Sequence, residues 1–172
     1  MNWLIVVLRF LHIFAGVFWA GAIFTLIRFV MPAVKASGPE GGRFVRRIAV
    51  EAGLTKALVA AGFTTVLAGL ALLWHDSAGF NSAWMGSGMG VVFSIGGLAG
   101  LGALTTGART GMTIGKLGAL GAAIEGKGGP PSPEQAAEMQ RLQARMVGST
   151  RATAIQLAIA VICMAVARYV VF

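Results

Sequence analysis

The sequence predicts an all-α polytopic membrane protein, with four transmembrane helices in one antiparallel bundle and helix extensions reaching into the cytoplasm. Three observations carry this. Residues 4–31 read LIVVLRFLHIFAGVFWAGAIFTLIRFVM, in which Arg9, His12 and Arg28 are the ionisable side chains, well past the roughly 18 apolar residues that mark a spanning helix. Further apolar runs follow at 57–74, from about 85 to 106, and at 152–172. Finally, 56% of the chain is apolar and 12% charged, whereas a soluble domain carries about 25% charged residues. At 172 residues there is room for one compact domain. In lipid its backbone must satisfy itself within helices that pack on one another.

Taken in order, helix one is expected at about 3–31, ending at Pro32, with the polar KASGPEGG stretch (35–42) as a turn. It is too long for a cleavable signal peptide and lacks a basic segment before its apolar run, so it is expected to stay in the mature chain. Helix two is expected at about 43–74. Its first part alternates Arg43, Arg46, Arg47, Glu51 and Lys56 with Phe44, Val45, Ile48, Ala49 and Val50, an amphipathic pattern for the membrane surface. Helix three is expected at about 85–124. Its spacings Gly86/Gly90 and Gly96/Gly100 would let a neighbouring helix approach closely, and glycines continue through Gly107, Gly111, Gly115 and Gly118 into water. Helix four is expected at about 133–171. Ser132, Pro133, Glu134 and Gln135 form its start signal, a capping hydroxyl with proline at the first helical position and glutamine three residues on.

Charge sets the expected orientation. All but two of the 14 Lys and Arg residues flank the first and third loops. The positive-inside rule places those loops in the cytoplasm and both termini outside it, in a cell inner (plasma) membrane. Arg9 and Arg168 are the two on the other side. The net charge of +8 is then a topology signal and an attraction to anionic lipid headgroups. No basic stripe is interleaved with exposed aromatics, which argues against nucleic acid as a partner. The single cysteine, Cys163, excludes an intrachain disulfide and a cysteine-based zinc site.

His12 lies about 12 to 15 Å along helix one, near the middle of a ~30 Å hydrocarbon layer, where an ionisable group is costly and usually functional. At 100° per residue Arg9, His12, Gly16 and Ala20 share a face, with Trp19 at its margin. Counting from the outer ends puts His12 level with Cys163 and Met164, and Arg9 with Arg168 one turn nearer the surface. This arrangement suits a b-type haem: an imidazole for the iron, Gly16 as a flat surface beside the ring, and Arg9 and Arg168 for the propionates. Met164 is either a second axial ligand or core packing. His12 also has a simpler reading, a hydrogen bond to the helix-three backbone or to Ser94. His75 with Asp76 reads as a surface turn or an outward metal site, and Trp3, Trp74 and Trp84 as an outer aromatic belt.

The run LHIFAGVFWAGAIF, with His12, then Trp19 and Gly21, resembles the first helix of the copper-resistance D-like small four-helix membrane proteins. It is also similar to the membrane-bound protoporphyrinogen oxidase type. That second resemblance implies haem b on His12. The chain has no clear second intramembrane histidine or lysine matching that type, which leaves enzymatic activity open. Three function classes follow: a haem b protein in electron transfer or in a membrane redox complex, alone or as a homo-oligomer; a cofactor-free accessory membrane subunit; and copper handling, implied by the group name and by Met85, Met89, His75 and Asp76, since soft methionine suits copper(I).

Overall fold

A computed structural model describes residues 2–172, apart from the side chain of Pro39. Among these residues there is no strand, and four long apolar helical runs stand at 3–36, 54–76, 88–125 and 133–169. In order the helices are α1 (Trp3–Thr25), α2 (Met31–Ala36), α3 (Gly38–Arg46), α4 (Leu54–Asp76), the short α5 (Ser82–Met85), α6 (Gly88–Glu125) and α7 (Pro133–Val166). A π-helical turn, Leu26–Val30, joins α1 to α2, and another, Arg47–Glu51, follows α3.

The spans form a closed ring in chain order. α1 packs on α4, α4 on α6, α6 on α7 and α7 back on α1, each against an antiparallel neighbour. The core, Trp19, Ala20, Ile23, Ala103 and Leu157, lies where three of these helices meet. Outside it the ring shows lipid its large side chains: Leu4, Phe10, Phe14, Val17 and Leu98 are each more than 60% exposed. Exposed apolar side chains at this density, on helices long enough to span, make this a multi-pass membrane protein.

Two expected helix boundaries shift for local reasons. Helix one does not end at Pro32. Pro32 has no N–H to offer the Arg28 carbonyl and its ring crowds that carbonyl. The preceding π turn, in which the Met31 N–H reaches back five residues to Leu26, widens the ladder, and the helix passes through to Ala36. Helix two, conversely, is not continuous from residue 43. The amphipathic α3 is a separate element, folded back on α2 so tightly that a Cβ on Gly41 would collide with the Val34 carbonyl. It parts from the spanning α4 at Gly53, whose φ of +77° is left-handed and breaks the ladder.

α6 has 38 residues and α7 has 34, about 57 and 51 Å at ~1.5 Å per residue, so both outrun a ~30 Å hydrocarbon layer. Their extensions lie at the end that carries α2 and α3, where an Arg46–Glu125 ion pair (3.6 Å) ties α3 to the tip of α6. α7 starts as its sequence signals. The Ser132 hydroxyl accepts from the Gln135 N–H at 3.3 Å, and Gln135 Oε1 accepts from the Ser132 N–H at 3.0 Å. The Ser132 hydroxyl also donates to Glu134, which holds that carboxyl below the usual carboxylate range. At the other end, Trp3 and Trp74 stand at the edges of α1 and α4 and are exposed, and Trp84 sits in the short α5.

Candidate functional site: the His12 seam between α1 and α4

α1 and α4 meet along a seam in which large side chains on one helix face small residues on the other. Going down α1 and up α4, His12 faces Gly69, Gly16 faces Thr65, and Trp19 faces Gly62. A Cβ added to Gly69 would stand 2.7 Å from His12 Cε1 and 2.8 Å from Nδ1. One added to Gly16 would stand 3.3 Å from Thr65 Cγ2, and one on Gly62 would stand 3.2 Å from the Trp19 indole. The glycines are thus sized to the side chains opposite, and the two backbones approach accordingly.

His12 is half-buried on this seam, and its Nδ1 lies 2.8 Å from the Thr65 carbonyl oxygen. A carbonyl oxygen can only accept, so Nδ1 carries the proton. In the neutral imidazole Nε2 is then the nitrogen with the free lone pair. No hydrogen bond engages Nε2 among the described residues, yet it is not a sealed-in polar atom. The hydrogen bond expected to the third helix or to Ser94 is replaced by one to the backbone of the second spanning helix, α4. Ser94 donates instead to Gly90 O within its own helix. Thr65 in turn donates its hydroxyl to Ala61 O, which turns its methyl group toward Gly16.

The other expected site residues separate into two groups. Gly16 shares the inner face with His12, but the surface it offers is taken by Thr65. Arg9 is 60% exposed and makes a loose ion pair with Asp76 at the end of α4 (3.7 Å), while Asp76 accepts from His75 Nδ1 at 3.1 Å. Arg9, His75 and Asp76 thus form one polar cluster at the end of the bundle that carries the termini. Met164 belongs to the other half of the ring: its methyl group and Cys163 Cβ pack against Gly96 of α6. Arg168 is exposed, in the 3₁₀ turn Ala167–Tyr169 after α7. Among the described residues no group of three or more His, Cys, Asp and Glu side chains is placed to hold a metal ion.

A second seam, between α6 and α7, has a polar centre. Thr106 Oγ1 lies 2.8 Å from both Thr153 Oγ1 and Gln156 Oε1, and Thr110 Oγ1 lies 2.7 Å from Ser149 Oγ. Thr153 is 1% exposed. The amide of Gln156 fits because Gly102 faces it: a Cβ there would stand 2.7 Å from Nε2. The sequence does hold this signal. Gly96, Ala99, Ala103, Thr106, Thr110 and Thr113 recur at steps of three and four, a heptad seam rather than a chain of glycines four apart. Gly100, expected at a helix contact, instead meets nothing within 4 Å.

Compared with models of known protein families, with curated proteins and with solved structures, the chain matches none.

Proposed function

We propose that this multi-pass membrane protein binds haem b through His12 Nε2 and serves in electron transfer or as a subunit of a membrane redox complex. The observation that carries the reading is the state of His12. Its Nδ1–H is committed to the Thr65 carbonyl, the arrangement that fixes the tautomer and raises the basicity of a metal-bound imidazole, and its Nε2 is left unengaged. The haem would supply a one-electron iron couple. Thr65 and Gly69 hold the ring plane. Arg9, once drawn from its weak pairing with Asp76, and Arg168 are the cations for propionate groups nearer water. Met164 is assigned to packing on Gly96, in the other half of the ring from His12. The cation distribution supports an orientation with both termini outside the cytoplasm, and the membrane in this reading is the cell inner (plasma) membrane.

A cofactor-free accessory subunit is the second reading, and a specific observation favours it. Thr65 covers Gly16 and the His12 ring fills the space above Gly69, so the near surroundings of the imidazole are occupied by α4 itself. One measurement separates the two readings: an absorbance spectrum of the full chain, expressed with haem supply and purified in detergent, before and after dithionite. A Soret band with reduced α and β bands supports the haem reading. A featureless visible spectrum overturns it and leaves His12 as a helix clamp.

A further inference from the structure

Away from His12, a cavity of about 110 Å³ opens in the other half of the bundle. Trp19 and Ile23 of α1, Leu58 of α4, and Leu104 and Gly107 of α6 wall it, and Ile48, in the π turn after α3, roofs it. It exists because α6 is stripped of side chains there. A Cβ on Gly107 would meet nothing nearer than Thr153 Cγ2 at 3.9 Å, and one on Gly111 nothing nearer than Thr55 Cγ2 at 3.4 Å. Three of the four lining hydroxyls are already engaged within the protein, Thr55 being the fourth. Thr150 donates to Met146 O, Thr153 is engaged with Ser149 O and Thr106, and Thr110 is engaged with Thr106 O and Ser149. A void with mostly apolar walls and a single unengaged hydroxyl offers water fewer than the two to four polar partners it needs, and favours a hydrocarbon occupant.

The surroundings of the roof say what head that hydrocarbon carries. Between Arg28 and Lys56 the chain has cations at Arg28, Lys35, Arg43, Arg46, Arg47 and Lys56, against Glu40 and Glu51. Arg46 is held by Glu51 and Glu125, whereas Arg43 and Arg47 have no acidic side chain within ion-pair distance among the described residues. Phe44, next to Arg43 in the chain, and Phe29, under the Arg28 guanidinium, are exposed, as side chains at a membrane interface are. The α2–α3 segment is joined to the spanning helices through a π turn on each side and the left-handed Gly53.

We infer that this cavity takes a segment of one acyl chain of an anionic phospholipid from the leaflet at the α2–α3 end, with the free guanidinium groups of Arg43 and Arg47 on its headgroup. The site is independent of the haem reading. The test uses the full chain reconstituted in mixed phosphatidylglycerol and phosphatidylcholine vesicles, then released from a detergent micelle for native mass spectrometry. One retained phosphatidylglycerol is expected, with loss of the lipid in Gly107→Leu, which fills the void. Arg43→Gln with Arg47→Gln should keep a lipid and lose the headgroup preference. Absence of bound lipid, retention undiminished in Gly107→Leu, or equal retention of both lipids by the wild type overturns the inference.

A second readout does not need the cavity variant to fold. Trp19 is 3% exposed and shielded from bulk lipid, so in a background of Trp3→Phe, Trp74→Phe and Trp84→Phe its fluorescence should be quenched by phosphatidylglycerol with a brominated chain and not by brominated phosphatidylcholine. Unquenched Trp19 emission, or quenching by both lipids alike, counts against the site.

Discussion

His12 and Gly69 fit each other as ring and recess: a methyl group in place of the glycine hydrogen would stand 2.7 Å from His12 Cε1, closer than unbonded carbons approach. Gly69→Ala must therefore push α1 from α4 or swing the imidazole off the Thr65 carbonyl. Overpacking of this kind costs about 1–3 kcal/mol. His12→Ala loses the hydrogen bond, which inside a membrane is worth about 0.6 to 1.7 kcal/mol. The pair should be coupled, so that His12→Ala combined with Gly69→Ala is less destabilised than the sum of the two single changes. A double-mutant cycle on unfolding in mixed micelles reads this, and strict additivity would mean that the ring and the recess are not in contact.

The α6–α7 seam makes a sharper distinction among glycines than their spacing does. Gly96 faces Cys163 Cβ, where an added Cβ would stand at 2.9 Å, and Gly100 faces open space. Gly96→Leu is expected to lower the melting temperature strongly and Gly100→Leu hardly at all in the detergent-solubilised protein. Equal sensitivity at the two positions would place Gly100 in a contact between copies of the chain.

Gln156 tests the polar centre of that seam. Its carbonyl lies 2.8 Å from Thr106 Oγ1, and the alternative for a polar amide in a helix interface is to go unpaired. Gln156→Leu removes both the acceptor and the need for one, but its branched side chain must sit over Gly102, where the flat amide end now fits. A loss of about 1–2 kcal/mol is expected, with Thr106→Val in the same variant recovering part of it. Thermal unfolding of the single and double variants measures the difference.

How far these relationships could be read in advance follows from their physical range. The four spans were legible because length and hydropathy are properties of one segment, and the start of α7 was legible because a capping box closes within four residues. The passage through Pro32 was not, because it depends on a π turn whose bond pattern leaves no trace in residue type. Neither was the break at Gly53, one glycine among 25. At the site, His12 stood out for its depth alone. Its partner did not, since Thr65 and Gly69 become its neighbours through the register of α4 on α1, and that register is set by Trp19 on Gly62 and Gly16 on Thr65 together. Once the seam is known, Gly62, Thr65 and Gly69 at steps of three and four are its visible mark.

Orientation rests on cations rather than on packing. With Arg28 to Lys56 and Arg109 to Arg151 holding nearly all of them, reporter tags at either terminus should be active on the side away from the cytoplasm. A cytoplasmic C-terminal tag would reverse the leaflets assigned to both Arg9 and the α2–α3 segment.

The last expectation separates ligation from packing at His12. If Nε2 holds iron, His12→Ala abolishes the Soret band, and the remaining protein melts lower because both the metal bond and the clamp to Thr65 are gone. Gly16→Leu reaches the same centre by another path. Its side chain would strike Thr65 Cγ2, against which even a Cβ would stand 3.3 Å away, so α1 and α4 separate and the imidazole loses the carbonyl that fixes its tautomer. Haem content and stability should therefore fall together in Gly16→Leu. Arg9→Gln should leave stability nearly unchanged, since an exposed pair at 3.7 Å is worth about 0–1 kcal/mol, and lower haem retention only modestly, as should Arg168→Gln. Haem content that survives His12→Ala would move the ligand to another residue. A His12→Ala variant that loses stability from a wild type without any Soret band would fix His12 as the clamp between α1 and α4.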